Sequence, residues 1–204
     1  MTPRESHFER LGLPRRYSVD AADLERRYHE RSRLFHPDRH VKADGPTRVR
    51  NALATSELNQ AYRTLRDPVS RAEYLLGLAG IDIADEKGHG KPVAPAFLME
   101  IMELREALAE ARAARDQKAI AALADDVRAR RDEAMARVEE GFRIADASHD
   151  DRRDRLPPIA EALVALRYYH RFEEELATYE EARAEADDHG ALESQSPSQR
   201  SPSQ

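Results

Sequence analysis

Pro37 stands between two long runs of helix-forming residues and disfavours helical backbone at the residue before it, His36. The run LERRYHERSRLF therefore has to stop at FHPDRH, Phe35–His40, and the chain has to turn there. Comparable breaks recur at Gly12 and Pro14, at Asp67-Pro68, through Gly88, Gly90, Pro92 and Pro95, and at Pro157-Pro158. Between the breaks the apolar residues follow a helical period, and no stretch alternates as a strand would. This punctuation predicts an all-α protein whose helices end where proline or glycine forces them to.

Leu24, Tyr28 and Phe35 share one face of a helix that Asp20 can cap, with Arg31 interrupting that face. TRVRNALATSELNQAYRTLRD reads as a second long helix, with Val49, Leu53, Leu58, Ala61, Tyr62 and Leu65 as its apolar side. A short helix with Tyr74, Leu75 and Leu78 follows, ended by Gly77 or Gly80. Residues 1–80 thus form a small helical domain, and 81–95 a linker. Three helical segments, about 96–115, 117–147 and 158–187, make an antiparallel bundle over 96–187, the last opening on Pro158. The tail, 188–204, ends in ESQSPSQRSPSQ and is expected to be disordered.

Composition narrows the function classes. The absence of cysteine excludes disulfides, thiol nucleophiles and cysteine zinc sites, and fits a reducing compartment. No apolar run reaches the ~20 residues of a membrane span, and the N-terminus lacks a signal-peptide core, so a cytoplasmic protein is expected. The net charge of −6 divides unevenly, +4 over residues 1–80 and −10 over 81–204. A basic module is joined to an acidic one, and the two are expected to meet different partners.

His36, Asp38 and His40 could suggest a metal site. All three lie in one loop beside a proline, and His29 and His170 are isolated, so no second cluster completes a ligand set. No metal is therefore expected at these residues; the chain as a whole is read as a non-enzymatic adaptor that needs no cofactor. Helix, His-Pro-Asp, loop, helix is instead the pattern of the J domain, which this chain resembles in YHERSRLFHPDRH and in LNQAYRTLRDPVSRAEY. The resemblance implies that the module activates ATP hydrolysis by a DnaK/HscA-type chaperone. It also implies that Asp38 pairs with a chaperone arginine while His36 and Pro37 hold the loop's shape. Arg26, Arg27, Arg33 and Arg39 would steer the module to an acidic chaperone surface. J domains at large carry more lysine in this helix and an apolar residue where Arg31 stands.

In PAFLMEIMELREALAEA, Phe97, Ile101, Leu104 and Leu108 form one stripe suited to a bundle core. Leu98, Met99 and Met102 fall on the far side with Glu103, Glu106 and Glu110, an apolar patch bordered by acids. That side could pack on another helix or domain, or it could bind a basic partner through adaptable Leu and Met contacts.

The same segment, with LRDPVSRAEYLLGLAGIDI and LRYYHRFEEEL, resembles the HscB family over about residues 7–180. These are J-type co-chaperones of iron–sulfur cluster biogenesis. The resemblance implies an N-terminal J domain, a helical hairpin with an HPD loop, and a C-terminal three-helix bundle that binds an IscU-type scaffold protein. The implied scaffold contacts are Leu98, Met99, Met102, Glu103, Glu106, Glu110 and Tyr168. Met102 and Tyr168 replace other large apolar residues found in relatives, a change expected to preserve contact and able to shift affinity. The lack of cysteine fits the bacterial type, without the zinc-binding N-terminal segment of some relatives.

Three other functions compete with this reading. A general J-type co-chaperone would use the same loop without the Leu98–Glu110 face. A nucleic-acid-binding module is opposed by the acidic second half. A hydrolase built on HPDRH would need a bound metal. Neither nucleic acid nor membrane is expected as a partner.

Overall fold

A computed structural model describes residues 5–35, 44–81, 83, 94–147 and 152–194, the side chains of 152–153, 180–182 and 184–194 excepted. Among the described residues seven helices follow one another: α1 (His7–Leu11), α2 (Ala21–Phe35), α3 (Gly45–Arg66), α4 (Pro68–Leu78), α5 (Pro95–Ala113), α6 (Gln117–Ala147) and α7 (Arg152–Ser194). Among the described residues there is no strand. No described helix is long and apolar enough to cross a membrane. The described residues divide into two compact units. The first takes its members from Met1–Ala94 and Glu133–Ala165, the second from Pro95–Asp132 and Leu166–Gln204.

Local chemistry sets most helix ends in the first unit. Ser6 and Glu9 form a reciprocal capping box at the start of α1: Ser6 Oγ accepts from the Glu9 N–H at 3.3 Å, and the Glu9 carboxylate accepts from the Ser6 N–H at 2.8 Å. The bond from the Ser6 N–H, then the Ser6 hydroxyl, holds the Glu9 carboxyl below its ordinary pKa. Gly12, with φ 68°, closes α1 in the left-handed region that glycine tolerates best. Asp20 caps α2 as expected, its Oδ1 accepting from the Asp23 N–H at 2.7 Å. Asp67 ends α3 and caps α4, with Pro68 in the first turn where its missing N–H costs nothing.

The core of this unit joins Phe8 and Leu11 of α1, Leu24 of α2, Leu58, Ala61 and Leu65 of α3, and Ala72, Leu75 and Leu76 of α4. Tyr28 ties α2 to α3: its ring stacks on Tyr62 at 4.3 Å, and its hydroxyl donates to Asn59 Oδ1 at 2.8 Å. Arg31, the interruption on the α2 face, is half-buried with its guanidinium beside Gly12, where Arg27 also donates to the Gly12 carbonyl. Two arginines thus close over the end of α1, in space that a side chain at residue 12 would need.

Two expectations about α3 and α4 are corrected. Val49 and Leu53 are 69% and 59% exposed rather than part of the buried side of α3. At about 100° per residue they lie roughly 150° and roughly 110° from the centre of the Leu58, Ala61 and Leu65 stripe. They are apolar, but not in phase with the core. On α4, Leu76 is buried, whereas Leu78 lies at the edge of exposure.

Residues 133–165 complete the first unit. Tyr17, between α1 and α2, stacks on Phe142 of α6 at 4.7 Å, and its N–H donates to Asp146 Oδ2 at 2.8 Å. Arg71 of α4 lies over the other side of this cluster, 4.8 Å from the Tyr17 ring centroid. Helix α7 begins at Arg152 rather than at Pro158, so Pro157 and Pro158 sit inside it. They remove two ladder bonds near the helix start, and the burial of Leu156 and Ile159 offsets that loss. At its other end α7 runs to Ser194, past residue 187 where the sequence pattern stops; residues 195–204 lie outside the described set.

Helices α6 and α7 approach closely at Gly141. A Cβ there would lie 2.5 Å from Ile159 Cγ1 and 3.1 Å from Cδ1. Alanine in a helix interior normally gains about 1 kcal/mol over glycine, yet overpacking a tight crossing costs about 1–3 kcal/mol. Gly141→Ala is therefore expected to lower the urea-unfolding midpoint. A rise in the midpoint would show that Ile159 yields freely.

Candidate functional site

The second unit is a three-helix assembly of α5, the first half of α6 and the second half of α7. Ile101, Leu104, Leu108 and Ala111 of α5 are buried with Ile120 and Val127 of α6 and Leu166, Tyr169, Phe172 and Leu176 of α7. The turn from α5 to α6 is closed by Arg115 in the left-handed region, φ 52°, and by Asp116, whose Oδ1 accepts from the Ala119 N–H at 3.0 Å.

Because the α5 stripe is buried, the opposite side of the helix is exposed. Leu98, Met99 and Met102 are 43%, 63% and 69% exposed, and Glu103, Glu106 and Glu110 are exposed beside them. Three large apolar side chains flanked by three acids on one exposed helix face form a surface suited to a partner. Tyr168 is half-buried, edge-on to Phe97 at 5.5 Å between ring centroids. Phe97 also meets Tyr169 edge-on at 5.8 Å. The seventh expected contact residue is thus brought to the start of α5 by aromatic packing, and much of its ring serves that packing.

One group near this surface escaped the sequence reading. Glu100, between Met99 and Ile101, accepts two hydrogen bonds on the same oxygen, Oε1. One comes from Arg130 Nη1 of α6 at 2.6 Å, the other from the Tyr169 hydroxyl of α7 at 2.5 Å. The partners lie 30 and 69 residues away, so no local spacing announces them. Burial, then the bond to the Glu100 carboxylate, pushes the Tyr169 phenol up to about 12. Farther along α5, Arg112 Nη1 meets Glu175 of α7 at 3.2 Å, and Arg131 of α6 meets Glu173 of α7 at 2.9 Å.

The other candidate surface is only partly described. His36, Pro37, Asp38 and Arg39 lie outside the described residues, between the end of α2 at Phe35 and Asp44, whose Oδ1 caps α3 by accepting from the Thr47 N–H at 3.0 Å. Arg26 is exposed and paired with Asp23, and with Glu30 at 3.0 Å; Arg27 Nε donates to Asp23 Oδ2 at 2.7 Å. Arg33 is exposed in the last turn of α2. The bond from Arg27, then that from Arg26, holds the Asp23 carboxyl below its usual range. Exposed pairs of this kind contribute little to stability, so an incoming carboxylate can replace Asp23 or Glu30 at small cost.

Comparison with known proteins falls on both units. Residues 6–74 match the DnaJ domain model, and residues 93–177 match the HSCB C-terminal oligomerisation domain model. The chain is 38% identical over 174 residues to the Co-chaperone protein HscB homolog of Burkholderia multivorans, covering 85% of this chain and 93% of that one. The structure is similar to chaperone HscB from Vibrio cholerae, with TM-score 0.66, 29% identity and coverage of 87% of this chain and 98% of that one. It is also similar to the crystal structure of human co-chaperone protein HscB, with TM-score 0.69, 29% identity and coverage of 88% and 84%. Fold and matches together define an all-α J-domain co-chaperone with a C-terminal helical part. The chain belongs to the HscB family of co-chaperones.

The Tyr169 phenol makes a pH prediction. Its folded-state pKa, about 12, lies above the ordinary value near 10. The stabilisation it contributes is full below pH 10 and is lost as pH rises through 12. Urea unfolding from pH 9 to 12 should therefore show a steeper loss of stability for the wild type than for Tyr169→Phe. Parallel curves would mean that the hydroxyl is not held by Glu100.

Proposed function

We propose that this protein is a non-enzymatic adaptor that delivers an IscU-type iron–sulfur scaffold protein to a DnaK/HscA-type chaperone and stimulates that chaperone's ATPase. In this reading residues 1–80 are the chaperone-contacting J domain, 81–95 a linker, 96–187 the scaffold-binding part and 188–204 a tail. His36, Pro37 and Asp38 engage the chaperone, with Arg26, Arg27, Arg33 and Arg39 around them. Leu98, Met99, Met102, Glu103, Glu106, Glu110 and Tyr168 engage the scaffold.

The observation that carries the reading is the α5 surface. Six of the seven residues expected to contact a scaffold are exposed, opposite a buried stripe. An apolar centre supplies contact area, and the surrounding acids select a basic partner. Carrying both surfaces in one chain raises the local concentration of scaffold beside the chaperone without any further contact. Iron and sulfur are cargo on the scaffold here, and the adaptor has no cysteine with which to ligate them.

The test is single-turnover ATP hydrolysis by the host's DnaK-type chaperone, with and without scaffold. Asp38→Asn should abolish stimulation. Leu98→Ala/Met102→Ala should remove only the scaffold-dependent part and weaken scaffold binding by about tenfold or more, as truncation of central interface side chains does. Stimulation that is equal with and without scaffold, and unchanged in the double variant, would leave a general co-chaperone. No stimulation by the wild type would overturn the chaperone-activating reading.

A further inference from the structure

On a wheel of about 100° per residue, the buried stripe of α5 centres between Phe97 and Leu108. Glu100 falls roughly 60° to one side of that centre, and Arg112 roughly 60° to the other. Both flanks are held by charged hydrogen bonds. Glu100 is bonded to Arg130 and Tyr169, and Arg112 to Glu175, with Arg105 at 3.7 Å from the same carboxylate. Apolar burial is non-directional, so it resists a roll of the helix less sharply than hydrogen bonds do. Bonds on opposite flanks do not permit that roll without breaking one of them.

The consequence falls on Met99 and Met102, which stand roughly opposite the stripe, and on Leu98, roughly 90° from its centre. A roll of α5 would carry Met99 and Glu103 toward one neighbouring helix and Leu98 toward the other. We propose that Glu100 is a positioning residue for partner binding: with Arg130 and Tyr169 it fixes the rotation of α5 and so the direction in which the Leu98, Met99 and Met102 surface faces. This rests on the reading of that surface as the scaffold contact. Glu100 itself touches no scaffold. It acts through Met99 and Met102, and pre-orders them so that binding does not have to.

The geometry supplies a discriminating variant. Both bonds end on Oε1, so the single amide oxygen of glutamine can accept both, whereas alanine accepts neither. Scaffold binding by the full chain would be measured by titration calorimetry with the host's IscU-type scaffold, free of cluster. Each variant would be held at a temperature where its far-UV circular dichroism matches the wild type. Glu100→Ala is expected to weaken binding by about fivefold or more, as loss of preorganisation does. Glu100→Gln should stay within about twofold, and Tyr169→Phe should fall between them, with one of the two bonds kept.

The double variant Glu100→Ala/Met102→Ala should lose less than the product of the single losses, because a misdirected Met102 has less to contribute. In Glu100→Ala alone, stimulation of the chaperone without scaffold should be unchanged. If Met102→Ala weakens binding while Glu100→Ala and Tyr169→Phe stay within about twofold of wild type, or the losses simply multiply, the positioning role is overturned and the scaffold reading stands. If Met102→Ala binds as the wild type does, the scaffold reading fails and the positioning role falls with it. Should Glu100→Ala not fold, Tyr169→Phe and Glu100→Gln decide the same question.

Discussion

Ile101, Leu104, Leu108 and Ala111 go into the core of the second unit together, one turn after another along α5. Their removal from water is the main favourable term holding this helix to α6 and α7. It also settles what the rest of α5 can be. A helix buried along one stripe must present its opposite residues outward, and in this helix those residues are Leu98, Met99, Met102 and three glutamates. Packing and recognition are two sides of a single helix, so a change in how α5 packs also changes the surface it presents. Electrostatics then refines what burial begins, because hydrogen bonds carry a direction that apolar contact lacks.

The first unit solves a related problem with short elements. A five-residue α1 has too few backbone bonds to hold itself. It survives because Ser6 and Glu9 satisfy its start, Gly12 closes its end, and Phe8 and Leu11 are buried. His7 stacks on Tyr74 at 4.2 Å and donates its N–H to that hydroxyl at 2.9 Å, fastening α1 to α4. Tyr28 holds α2 along α3 by a ring stack and a hydrogen bond. The arginines of α2 are divided by this arrangement. Arg27 and Arg31 are drawn toward Gly12, while Arg26 and Arg33 face solvent. A basic helix on paper becomes a helix with part of its charge already engaged.

Much of this was legible from residues close together in the chain. Asp20, Asp67-Pro68 and Gly12 mark helix ends through bonds that reach only a few residues, and the helices begin and end beside them. The α5 wheel separated buried from exposed residues because one straight helix packs along one side. The same wheel, applied to α3, would have set Val49 and Leu53 apart from Leu58, Ala61 and Leu65. They are as apolar as the buried three, so only the phase of the pattern tells the two sets apart. At α7 the prolines read as a start, but the burial of Leu156 and Ile159 holds helix on both sides of them.

By itself the sequence determined the helical class, the places where the chain must turn and the His-Pro-Asp segment that marks the family. Each depends on backbone chemistry within a turn or two, which neighbouring residues decide. Only the tertiary structure decided that Tyr17 meets Phe142 and Asp146, that Gly141 lets α6 and α7 touch, and that Glu100 joins Arg130 and Tyr169. These partners are distant along the chain. A glutamate amid glutamates or a glycine in a helix carries no local sign of them. Their roles arise when burial brings the segments together, because a charge or a hydroxyl taken from water must then find its bond inside the protein.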